Sequence, residues 1–219
     1  RNEDEAPPDA GTDGPTHGFR IHIERRSALP RPPDFQRHVL RPEARAIFPY
    51  VNPVMLYGKH LGLRGDIEKL LDAGDARAQE LHEIVRSLED EVARRHLLRL
   101  GGVWRWFPAH SDGETLLIYD PEAPGEKIIE RFTFPRQNAS PQRCISDWVA
   151  PVGGPVDSIG AFILTAGPGV REIAEQWKAE GAYLKSHAIQ ALALETAEGF
   201  AEYLHKRMRD AWGLPDRDG

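Results

Sequence analysis

The 219-residue chain carries a single cysteine, Cys144, and only two methionines. One thiol cannot close an internal disulfide, and it excludes Cys-rich zinc modules, which need several thiolates at fixed spacing. Long apolar runs are missing as well. None approaches the roughly 20 residues that cross a bilayer, and the opening RNEDEAPPDA has neither the basic start nor the apolar centre of a secretion signal. The expected setting is cytoplasmic. Nor is there an excess of positive charge. The formal charge of −6 argues against broad binding to nucleic acid, which needs a basic surface to neutralise phosphates, although a local basic patch stays open. What remains is a normal globular composition, 40% hydrophobic, long enough for one large domain or two small ones.

Common catalytic signatures are absent too. There is no Gly-x-Ser-x-Gly elbow, and Ser146 lies in a strand-like run. GGVW lacks the Lys-Ser/Thr ending of a phosphate loop, and AGPG precedes a helix without a third spaced glycine. Glu202 and His205 form the Glu-x-x-His pattern of di-iron bundles, but such a site needs a second copy, and no other glutamate is followed by histidine at that interval. Cys144, in a strand-like run beside the apolar Ile145, reads as a small core residue rather than a nucleophile. No catalytic residue and no metal ligand is assigned.

Residues 1–33 are rich in Pro, Gly and Asp, a composition that buries too little apolar surface to offset the entropy of ordering, and so read as a linker. Within it FRIHIE (19–24) alternates as a short strand. A short helix is expected around 42–48, ending at Pro49, and a second after Asn52, with Asn52 as N-cap, Pro53 behind it, and Gly62 and Gly65 at the exit. Asn52 is thus either only a cap or a ligand-binding residue. Residues 66–100 read as helical, interrupted at Gly74 and Asp75, with Leu81, Val85, Leu88 and Val92 as a core-facing stripe. The period then changes. Runs at 103–107, 115–119, 127–134, 144–149 and 158–165 read as strands of one mostly antiparallel sheet, the last so apolar that it is expected to be central. After the GPG at 167–169 come a helix to about 178 and a long helix at 181–212, so the fold class is α+β.

The long helix sets Ile189, Ala193, Thr196, Phe200, Tyr203 and Leu204 along one stripe. Ala191, Glu195, Glu198, Glu202 and His205 follow at intervals of three and four on another. Either this is a solvated acidic face, offset by Lys206, Arg207 and Arg209 in the last turn, or one carboxylate faces a cleft and binds a cationic ligand. Spacing alone reveals no reaction.

The wording of the motifs adds to this. FPYVN (48–52), GVWRWFPAHSDGETLLIYD (102–120), RFTFPRQ (131–137), CISDWVAP (144–151), DSIGAFILTAG (157–167) and AEGFAEYLHKRMRDAWG (197–213) resemble, in order and interval, the activation domain of cobalamin-dependent methionine synthase. The resemblance covers about 33–215. It implies a C-shaped α+β domain at 34–219 with a long twisted antiparallel sheet, which binds S-adenosylmethionine and supports reductive methylation of cob(II)alamin back to methylcobalamin. The cobalamin would be held by a partner domain of the same protein and the electron supplied by a flavodoxin-type donor. The domain would form part of a homocysteine methyltransferase of methionine biosynthesis, without complete activity by itself. The family glutamate before Phe-Ala-Glu-Tyr-Leu-His falls on Glu198, suited to a sulfonium and an ammonium. An acidic family position falls on Asn52, where the amide can accept a hydrogen bond but carries no charge. Family members continue to an Arg-rich segment ending in Gly-Tyr-Pro. This sequence stops at Gly219 before one, so it is expected to be a fragment or to have an incomplete ligand site. The alternative is a docking module that contacts a cobalamin-binding domain without a small-molecule site of its own.

Overall fold

The computed structural model describes residue 23 and residues 29–216. The expected strand at 19–24 and nearly all of the expected linker lie outside the described residues. Among those described are strands β1 (His38–Leu40), β2 (Gly101–Asp112), β3 (Thr115–Tyr119), β4 (Ile128–Thr133) and β5 (Asp157–Thr165). The helices are α1 (Ala44–Ile47), α2 (Ile67–Asp72), α3 (Ala76–Arg95), α4 (Val170–Ala179) and α5 (Tyr183–Ala211), with a π-helix at Val54–His60 and 3-10 turns at Phe48–Tyr50 and Ile145–Trp148. The order β1-β2-β3-β4, with β5 also paired to β2, makes an α+β fold. Its registered pairs, such as Val39 with Val103, Ala109 with Ile118 and Leu117 with Arg131, are antiparallel.

The chain forms two compact units. One contains Pro108–Asp157; the other joins Pro30–Phe107 to Ser158–Gly219. The second holds the helices. Helix α3 starts where Asp75 Oδ1 accepts from the Ala78 amide at 2.8 Å, and it ends at His96 in the left-handed region, φ 51°. The predicted stripe of Leu81, Val85, Leu88 and Val92 is buried, as are Ile189, Leu192, Phe200 and Leu204 of α5. At roughly 1.5–3 kcal/mol for each large apolar side chain removed from water, these facing stripes supply the main drive for docking α3 and α5. Ser186 Oγ donates to the Ala174 carbonyl at 2.7 Å and ties α5 to α4.

Four local expectations need correction. Residues 144–149 are not a strand: the Asp147 carboxylate accepts from the Cys144 amide at 3.1 Å and pairs with Arg136 at 2.6 Å, which favours a capped 3-10 turn over a ladder. Cys144 itself is buried. Strand β5 is largely exposed, with Ile163 at 75%, because an apolar run is buried only where a layer covers it. The helix after Asn52 is a π-helix, with the Leu61 amide donating to the Leu56 carbonyl five residues back at 3.0 Å. Finally, β1 is a strand where none was expected. Its three residues, closely preceded by prolines, are too few for a period to show.

Candidate functional site

One glycine sets the geometry of the site. A Cβ on Gly199 of α5 would meet the Tyr50 backbone carbon and oxygen at 3.0 Å and the Val51 nitrogen at 3.2 Å. The FPYVN segment therefore lies directly against the helix, closer than a side chain at 199 would ordinarily leave room for. Tyr50 also packs edge-on against Tyr203, with ring centroids 5.4 Å apart.

This close approach creates a cleft of about 370 Å³ whose walls include Asn52, Lys59 and His60 on one side and Glu195, Glu198 and Glu202 on the other. Asn52 and Glu198, far apart in sequence, thus line one depression. Asn52 is a cap in fact: its Oδ1 accepts from the Val54 amide at 3.0 Å and the Met55 amide at 3.3 Å. It also lines the cleft, so the two readings of this residue do not exclude each other. With the oxygen occupied, the side-chain NH2 is what remains to face a ligand, which reverses the accepting role expected from sequence. Glu198 is exposed in the cleft and makes no hydrogen bond or ion pair among the described residues.

Glu195 behaves differently. It is 3% exposed and accepts from His60 Nε2 at 2.9 Å, while the His60 carbonyl accepts from His187 Nε2 at 2.8 Å. An acidic stripe that could have been wholly solvated therefore splits into a buried, paired member and two exposed ones. The π-helix is held at its other side by Tyr57, whose hydroxyl lies 3.3 Å from His82 Nδ1 of α3. Burial, followed by the nearby Glu89 charge, pushes the Tyr57 pKa up to about 12, so the phenol stays neutral and able to donate. Lys59, His60, Tyr50 and Gly199 were missed by sequence reasoning. Only Gly199 carried a legible signal, as a glycine in the middle of a strong helix.

Chemically the cleft offers two carboxylates without partners among the described residues, a third held by an imidazole, an amide donor and a lysine. That set suits a small ligand carrying positive charge together with hydrogen-bonding groups.

The profile of the vitamin B12 dependent methionine synthase activation domain matches residues 45–218. A methionine synthase of Mycobacterium tuberculosis is 29% identical over 113 residues, 49% of this chain and 10% of that protein. The crystal structure of a MetH reactivation domain bound to AdoHcy superposes with a TM-score of 0.78 at 25% identity, covering 89% of this chain and 62% of that one. This chain therefore spans about a tenth of the curated relative and less than two thirds of the solved one. With the family profile matched over most of its length and the fold shared, the chain belongs to the activation domain family of vitamin B12-dependent methionine synthases.

Proposed function

We propose that the chain is the S-adenosylmethionine-binding reactivation unit of a cobalamin-dependent methionine synthase, and that the Asn52–Glu198 cleft is where the ligand's cationic end sits. The observation that carries this is the meeting of Glu198, a carboxylate without a partner among the described residues, with Asn52 across a cleft of ligand size. A sulfonium and an ammonium gain charge-assisted contacts there. The solved relative is described as bound to AdoHcy, the molecule left when S-adenosylmethionine has given up its methyl group.

A cobalamin carried by a partner domain supplies the nucleophile that takes the methyl group, and a flavodoxin-type protein supplies the electron. The residues of this chain bind and orient. Glu198 holds the positive end, Asn52 donates to an acceptor on the amino-acid portion, and the Glu195–His60 pair fixes the wall between them. The whole enzyme's methyl transfer to homocysteine belongs to the longer protein of which such a domain is one part. The competing reading, a docking module without a small-molecule site, draws on the exposed apolar Phe162 and Ile163 of β5. Calorimetric titration of the chain with S-adenosylmethionine decides between them: saturable heat that is lost in Glu198→Gln supports the first, and no heat in the parent chain leaves the second.

A further inference from the structure

Among the described residues β5 pairs with β2 and with no other strand, so its second edge is open. Its register on β2 follows from close approaches. A Cβ on Gly101 would lie 3.9 Å from Thr165, one on Gly102 3.7 Å from Leu164 and one on Gly160 3.5 Å from Trp106, which sets Val103 beside Ile163. The Gly102 side meets Phe200 of α5 at 3.0 Å, so Val103 and Ile163, one residue along, face away from that helix. Val39 of β1 is in register with Val103. Val39, Val103 and Ile163 therefore make an apolar row across three strands, and it runs out at the open edge, where Ile163 is 75% exposed. Native sheets blunt such edges with lysine, proline or a bulge. Residues 158–165 contain no charged residue and no proline.

The strand is also its own complement. Laid antiparallel to a second copy and centred on Ala161, it sets Ile159 opposite Ile163, Gly160 opposite Phe162 and Ala161 opposite itself, so each ring meets a glycine and the branched side chains meet each other. We propose that β5 is a dimerisation edge: two copies of this chain pair their β5 strands about a two-fold axis at Ala161, which joins their sheets and carries the apolar row across the axis. The interface is isologous and uses up both open β5 edges, so association stops at two copies. A single strand pair is smaller than the roughly 1,200–2,000 Å² of stable interfaces, and the dimer is accordingly a transient one. The formal charge of −6 on each chain opposes approach, while the paired segments are uncharged, so salt strengthens the dimer by screening that repulsion. This inference is independent of the ligand proposed for the cleft, and it gives the exposed Phe162 and Ile163 an occupant other than a cobalamin-binding domain.

Sedimentation equilibrium of the full chain, from micromolar to near-millimolar concentration, is expected to show the mass rising from one chain toward two, and further at higher salt. Ile163→Lys, at a site too exposed to disturb folding, puts a cation opposite the second copy's Ile159 and is expected to weaken the dimer roughly tenfold or more. Cysteine trapping under mild oxidation reads the register, since the native Cys144 is buried. Ala161→Cys brings two thiols face to face at the axis, within disulfide reach, and is expected to cross-link. Ile163→Cys, although highly exposed, leaves its two thiols about 13 Å apart along the strands and is not. A chain that stays monomeric throughout, a dimer that salt dissolves, an Ile163→Lys dimer as tight as the parent's, or Ile163→Cys cross-linking as readily as Ala161→Cys each overturns the proposal.

Discussion

The imidazole of His60 and the carboxylate of Glu195 meet at 2.9 Å across 135 residues of sequence, with the carboxylate 3% exposed. This contact joins the π-helix to α5 at the cleft. It also explains why an acidic residue is tolerated on the inner part of α5, since a buried carboxylate needs a partner to offset the loss of water.

Removing the acceptor should therefore cost more than removing the charge. Glu195→Ala leaves the His60 N–H without its partner in a partly buried site, and a loss of about 1–3 kcal/mol is expected. Glu195→Gln keeps an acceptor oxygen and should lose under about 1 kcal/mol, the scale of a weakened rather than absent hydrogen bond. Urea unfolding of both variants measures this. Equal losses would mean that the contact is incidental.

Gly199 makes a second, independent prediction. Alanine there gains about 1 kcal/mol of helix propensity, but its methyl meets the Tyr50 backbone at 3.0 Å, and overpacking costs roughly 1–3 kcal/mol. The net is a loss of up to about 2 kcal/mol. Because the displaced segment carries Asn52, affinity for S-adenosylmethionine should fall as well. A Gly199→Ala chain that melts higher and binds unchanged would show that the close approach is not needed.

Much of the fold could be read from sequence because its signals are local. The α3 stripe, the Gly74 break and the turn-bounded strands β3 and β4 each lie within one stretch of chain. The failures share a cause as well. The turn at 145–148 depends on Arg136 reaching Asp147, the burial of Glu195 depends on His60, and the exposure of β5 depends on what fails to cover it. Side-chain pairs distant in sequence leave no period. Spacing left Asn52 between cap and ligand and Glu198 as one of three carboxylates on a face, and the family wording singled the two out; their shared cleft accompanies Gly199, whose meaning appears once Tyr50 is seen against it.

Acid should weaken the packing of α3 on α5 through Glu91. Burial raises the pKa of this carboxylate, but hydrogen bonds from Lys185 and Arg95 outweigh it and hold the value below the usual 4.5, and Lys185 Nζ lies 2.5 Å from it. A carboxylate depressed in the folded state contributes stability that is present above its unfolded value and is lost as pH falls through the folded one. Glu89 acts the other way, since burial raises its pKa, so the parent curve mixes both. Comparing Lys185→Met with the parent isolates the Glu91 contribution. The variant should be less stable at neutral pH and should lose less as the pH falls from above the usual 4.5 to below it, as read from urea midpoints. Parallel curves would remove Lys185 as the cause.

Glu198 decides whether the cleft binds as proposed. Glu198→Gln keeps the shape and removes the charge, so the loss should be that of one charge-assisted hydrogen bond, about 1.5–3 kcal/mol, or roughly tenfold to more than a hundredfold in affinity for S-adenosylmethionine. Glu195 is no neutral control, because its pairing with His60 shapes the wall. The charge control is Lys206→Gln on the same helix, where the lysine pairs with Asp210 at 3.0 Å. Lying beyond the cleft, it should change affinity by less than about threefold, the scale of a surface charge. Calorimetry on both variants with S-adenosylmethionine reads the two effects. If Glu198→Gln binds S-adenosylmethionine as the parent does, the cationic end lies elsewhere and the assignment of Glu198 fails.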